Sequence, residues 1–195
     1  MKNSNPMETT HLYIKNMVCN RCITAVGNIF GDLNIAVSSI RLGEVETEGE
    51  LSAKELQLLD GQLRTGGFEL LEDSAKRQIE KTKTVIIKKI NALDIPEDFV
   101  LSKFLSNQLH KEYSAVSKLF SQSENVTLEQ YFILQKIEKV KELLLYNEFS
   151  LTEISAKLGY RSVQHLSSQF KSITGYTPST FKKLKINNRI PLDKI

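Results

Sequence analysis

The chain has 195 residues, 41% hydrophobic and 25% charged, with a formal net charge of +3, which suits one large soluble domain or two small ones. No window approaches 18 apolar residues and no basic-then-apolar signal region opens the chain, so the expectation is a cytoplasmic protein without a membrane span. The charge is divided: residues 1–73 carry six Lys/Arg against eleven Asp/Glu, residues 74–195 twenty against twelve, and only the second part favours a polyanionic partner.

In chain order, His11 to Asn16 alternates as a strand does. Ile23, Val26, Ile29, Phe30 and Leu33 then recur at helical spacing. Ile35 to Glu48 is rich in β-branched residues around a hairpin turn at Leu42-Gly43-Glu44. Ser52 with Glu55 forms a capping box that opens a helix through Leu56, Leu59 and Leu63, halting at Gly66-Gly67. Phe68 to Leu71 is the last strand. Strand, helix, two strands, helix, strand over residues 9–73 is the ferredoxin-like arrangement, so the predicted class is α+β.

Both cysteines, Cys19 and Cys22, sit in one CxxC, which excludes a disulfide between distant segments and points to a metal or redox site. Two thiols at a helix N-terminus are expected to have lowered pKa values. They would form a soft two-coordinate pocket for Cu(I), or for Zn(II) with outside ligands. Soft-metal sensing, a reversible disulfide and inert buried thiols all remain open. His11 reads as a strand residue with no ligand role. The run Met17-x-Cys19-x-x-Cys22 and the turn Gly66-Gly67-Phe68 resemble heavy-metal-associated domains. Asn16 stands where that family usually has Gly, and Asn20-Arg21 places a bulky cation between the thiols.

Residues 74–95 read as a connector. Ala75 to Ala92 is a basic amphipathic helix with Ile79, Ile86, Ile87 and Ile90 on one side, and self-association or phosphate contact is its alternative role. Pro96, Glu97 and Asp98 are expected to begin the next helix. Leu101, Leu105 and Leu109, then Val116, Leu119 and Phe120, echo Leu151, Ile154 and Leu158, then Leu166 and Phe170. Two helix-turn-helix units follow, at about 100–121 and 150–174. Thr127 with Gln130 caps the helix between them, residues 127–147, whose Ile133, Ile137, Val140 and Leu144 are expected to bury against both.

The second unit is the more explicit. Ser150 and Glu153 form a capping box, and Gly159 suits a left-handed C-cap. Val163, Leu166, Phe170 and Ile173 make an apolar row. The opposite face carries Arg161, Gln164, His165, Ser168 and Ser172. Lys157, Arg161, Lys171, Lys182, Lys183, Lys185 and Arg189 accompany it, with no acid before Asp193. Such a face suits the DNA major groove, where amides and hydroxyls reach base edges and cations take phosphates. Thr177 and Pro178 would start one more helix.

The run Gly159 to Lys183 resembles the second helix-turn-helix of AraC-type transcriptional regulators in Gly159-Tyr160, Phe170-Lys171, Thr174-Gly175 and Thr177-Pro178. The resemblance implies a DNA-binding domain over 96–187 with two units, the first one residue shorter. His110 stands where that family's first turn usually has Gly. By position it implies base contacts from Ser114, Ser117 and Lys118 in the first unit and from Gln164, His165 and Ser168 in the second. Arg161 and Lys171 are the flanking cations. Lys118 and Gln164 suit guanine and adenine edges.

The reading is a sequence-specific regulator of AraC type, not an enzyme, binding double-stranded DNA in two adjacent major-groove segments. It would respond to a soft metal or a thiol-redox signal through Cys19 and Cys22, and a homodimer is not implied. The alternatives are a soft-metal chaperone or buffer whose helical half docks a protein, and a thiol oxidoreductase. Neither needs an acid-free helix face.

Overall fold

A computed structural model describes residues 9–71, 73–184 and 192. The chain divides into two compact units, residues 1–84 and 85–195. The boundary falls within a helix, α3 (Ser74–Asn91).

The first unit runs β1 (Thr10–Lys15), α1 (Asn20–Asp32), β2 (Val37–Arg41), β3 (Glu44–Thr47), α2 (Ala53–Thr65) and β4 (Glu69–Leu70), the order the hydrophobic pattern predicts. The sheet order is β2-β3-β1-β4, with every neighbouring pair antiparallel. Leu12, Ile14 and Val45 from the strands pack with Val26, Phe30, Leu59 and Leu63 from the helices. Alternation along β1 and β3 therefore puts one face in the core and leaves His11 and Glu46 on the other. The Ser52–Glu55 capping box forms as expected, with the Glu55 carboxylate accepting from the Ser52 amide at 2.8 Å. Asn16 has φ 71°, and its side-chain amide donates to the Gly67 carbonyl at 2.9 Å. Asn tolerates the left-handed region that this turn requires.

The second unit is helical: α4 (Leu101–Leu109), α5 (Tyr113–Glu124), α6 (Leu128–Tyr146), α7 (Leu151–Lys157), α8 (Val163–Thr174) and α9 (Pro178–Leu184). Ile86, Ile87 and Ile90 of α3 are buried. The expected helix start at Pro96 is not observed. Residues 96–100 form a turn in which the Phe99 amide donates to the Pro96 carbonyl, and α4 begins only at Leu101. The preceding Ile95 is taken up elsewhere: its amide donates to the Lys157 carbonyl at 3.1 Å, and it bridges Leu158 in parallel.

Capping boxes at Thr127 and Ser150 start α6 and α7, and the Thr177 hydroxyl accepts from the Thr180 amide at the head of α9. α6 touches α5, α7, α8 and α9, so it is the spine on which both turns are mounted. Ile137, Val140 and Leu144 are buried as the apolar row predicts, with Ile133 half-buried. Gln135, Lys136, Glu138 and Lys141 are buried beside them. Ile173 departs from its predicted row and is 38% exposed.

Candidate nucleic-acid interface

Helices α5 and α8 are structural repeats of one another. Residue by residue, the exposure of Lys111 to Phe120 is the same as that of Arg161 to Phe170. Val116 and Phe120 are buried in the first helix, Leu166 and Phe170 in the second. The turns that precede them differ by one residue. In the first, His110 takes the left-handed conformation at φ 52°, ψ 42°, and α5 follows with Glu112 as N-cap. In the second, Gly159 takes it at φ 67°, and Tyr160, Arg161 and Ser162 precede α8. The Ser162 hydroxyl accepts from the His165 amide at 3.1 Å, the side-chain cap that Glu112 does not supply.

Gly159 is required twice over. Its φ belongs to the region that L side chains avoid, and a Cβ there would lie 2.7 Å from both the Pro96 carbonyl oxygen and Ile95 Cγ2. The bridge from Ile95 to Leu158 therefore closes over the second turn.

Among the expected contact residues, Ser114, Lys118, Arg161, Gln164, His165, Ser168 and Lys171 are all exposed. Ser114 and Gln164 occupy equivalent positions, as do Lys118 and Ser168. Ser117 is half-buried beside the Tyr113 hydroxyl, at the position equivalent to Ser167. The position equivalent to His165 is the exposed Ala115. Tyr113 donates to Glu129; burial first, then this bond, raises the Tyr113 pKa, while the same bond lowers that of Glu129 against the opposing effect of burial. Of the flanking cations, Lys182 and Lys183 are exposed, whereas Lys185 and Arg189 lie outside the described residues.

Sequence pattern alone missed what lies behind α8. The Lys136 ammonium stands over the Tyr160 ring, 3.7 Å from its centroid, and 5.5 Å from that of Phe132. Tyr160 donates to Gln169 Oε1 at 2.8 Å and meets the His165 ring edge-on at 5.4 Å. Burial pulls the Lys136 pKa down to about 8 and pushes that of Tyr160 up. The clue was available in the wheel of α6, where Lys136 falls four residues after Phe132 and four before the buried Val140.

In the first unit, Cys19 and Cys22 are free and half-buried at the start of α1, their sulfurs 3.5 Å apart. The Cys22 amide donates to the Cys19 carbonyl at 3.0 Å. The expectation of lowered pKa values is corrected for Cys22: burial outweighs the backbone hydrogen bonds and raises it. At metal–sulfur distances of about 2.3 Å this spacing corresponds to an S–metal–S angle of roughly 100°. The thiols fit two positions of a soft-ion site. Among the described residues they have no third His, Cys, Asp or Glu with them; the one such group of three is His11, Glu44 and Glu46. His11, expected to have no ligand role, has Nδ1 3.5 Å from Glu44 and 3.7 Å from Glu46.

Residues 105–184 match the family model described as a helix-turn-helix domain. The helical unit of the chain thus carries a helix-turn-helix domain. The curated proteins it resembles are named as operon regulators or transcriptional activators. The Msm operon regulatory protein of Streptococcus mutans is 29% identical over 84 residues, 43% of this chain and 30% of that protein. The HTH-type transcriptional activator RhaR of Cronobacter sakazakii is 30% identical over 93 residues, 48% of this chain and 32% of that protein. The chain thus spans about a third of the length of these relatives. The C-terminal domain of AraT, a response regulator from Geobacillus stearothermophilus, is 19% identical and covers 60% of this chain and 91% of that one. Its TM-score is 0.49. No helix among the described residues is long and apolar enough to cross a membrane.

Proposed function

We propose that the protein is a sequence-specific DNA-binding transcriptional regulator whose two recognition helices, α5 and α8, enter adjacent major-groove segments on one face of a duplex. The observation that carries this is the repeat itself. Two helices of like exposure are mounted on one spine, and α8 is free of acids along its exposed face. Ser114, Lys118, Gln164, His165 and Ser168 would meet base edges, with Ser117 at the margin, while Arg161 and Lys171 would take phosphates.

The first unit is proposed to be a ferredoxin-like sensor domain of the heavy-metal-associated kind. Its strand order and the paired thiols at the head of α1 support this. Cys19 and Cys22 would hold Cu(I), or Zn(II) with outside ligands, or close to a disulfide. Any such event changes transcription only if it favours one conformation over another.

The test is a duplex selected from a random pool by the full chain. Affinity should fall steeply between 50 and 200 mM salt as phosphate contacts release counterions. Gln164→Ala should weaken binding by roughly 5- to 150-fold through a lost base contact. Failure to enrich any duplex, or indifference to salt, would overturn the reading. Unchanged DNA affinity of the Cys19→Ser, Cys22→Ser double variant across metal and redox titrations would remove the sensor role alone.

A further inference from the structure

We infer that Lys136 is a positioning residue, which sets the angle of the second recognition helix by holding Tyr160 against Gln169 and His165. This rests on the DNA-binding reading above and adds to it a residue that touches no DNA.

Lys136 is 7% exposed, yet among the described residues its ammonium has no hydrogen-bond acceptor and no carboxylate partner. What it does have is the Tyr160 ring face at 3.7 Å, with Phe132 behind. A buried ammonium without an acid is costly, and an aromatic face recovers part of that cost through the ring quadrupole. The contact is directional: it is lost if the ring turns or slides. Tyr160 in turn grips α8 at two points, through its hydroxyl to Gln169 and its ring edge to His165. These lie one residue after Gln164 and one after Ser168, so the ring fixes the rotation of α8 about its own axis. α5 is braced differently, by Tyr113 at its own head donating to Glu129 of α6, and among the described residues no lysine stands over that ring. The turn before α5 is one residue shorter, and the residues between His110 and α5 are Lys111 and Glu112, neither of them aromatic. The effect of Lys136 should therefore be confined to one of the two DNA segments.

The full chain is footprinted on the selected duplex, and the segment read by α8 is identified as the one that Gln164→Ala weakens. Lys136→Met keeps the stem and removes the charge. The expected result is about a tenfold loss of protection at that segment, the size of a desolvated cation–π contact. Protection at the other segment should be unchanged and the melting temperature not lowered, because a desolvated charge is removed. Lys136→Arg, which restores a cation over the ring, should restore most of the protection. Tyr160→Phe, which keeps the ring but frees Gln169, should give a smaller loss at the same segment. Equal protection in Lys136→Met and wild type would overturn the inference while leaving DNA binding intact. So would a parallel loss at both segments with a fall in melting temperature, since that is mere destabilisation. Should Lys136→Met fail to fold, the Tyr160→Phe and Lys136→Arg pair decides on the same criterion. A wild-type chain that enriches no duplex refutes the DNA-binding reading itself.

Discussion

Replacing Gly159 with Ala asks the turn between α7 and α8 for two things at once. At φ 67° the new residue must hold a left-handed backbone, at a cost of roughly 1–2 kcal/mol. Its Cβ must also fit where the Pro96 carbonyl and Ile95 Cγ2 each lie 2.7 Å away. Neither is the free end of a flexible side chain, and Ile95 is tied by its amide to the Lys157 carbonyl, so the clash resolves only by moving backbone. Overpacking of this kind costs about 1–3 kcal/mol, giving roughly 2–5 kcal/mol together. Gly175 supplies the control. It has φ 80° but no atom within 4 Å of its would-be Cβ, so Gly175→Ala should cost the strain alone, about 1–2 kcal/mol. The assay is native-state hydrogen exchange on peptides spanning α7 and α8, which reads the opening free energy of this unit without requiring the other to unfold. If Gly159→Ala costs no more than Gly175→Ala, Ile95 and Pro96 do not clamp the turn as described.

His110→Gly should act in the opposite direction. It relieves a left-handed non-glycine residue, and glycine's greater freedom in the unfolded chain offsets part of the gain, leaving a net rise of about 0.5–1 kcal/mol in urea unfolding. Lys136 predicts a pH effect. Its pKa is about 8 in the folded protein against an ordinary 10.5, so between those values the unfolded chain binds more protons and stability rises with pH. From pH 7 to pH 10, wild type should gain roughly 2–3 kcal/mol relative to Lys136→Met. Tyr160, its neighbour, is pushed up by burial and stays protonated over that window. Parallel pH curves for the two proteins, measured by urea unfolding, would show that Lys136 is not desolvated as described.

Local chemistry determined a great deal of this protein on its own. Ser52–Glu55, Thr127–Gln130 and Ser150–Glu153 announce three helix starts because a capping box satisfies backbone donors within four residues of chain. The 3.6-residue recurrence of Leu151, Ile154, Leu158, Leu166 and Phe170 announces the second helix-turn-helix for the same reason: the signal is near in sequence. Two of the departures from expectation have a common cause. Pro96 and its acids carry the composition of a helix start, but Ile95 is drawn into a bridge with Leu158, more than sixty residues away, and the turn goes where that contact sends it. Cys22 has the helix N-terminus that lowers a thiol pKa, yet burial in the first unit's core outweighs it. Likewise, Lys136 looks like one more surface cation in a helix rich in lysine, until Tyr160 is brought over it from the neighbouring turn. Caps, periods and charges are fixed by neighbours along the chain. Desolvation and the contact between α6 and the α7–α8 turn depend on what the fold brings close, and only the tertiary structure decided them.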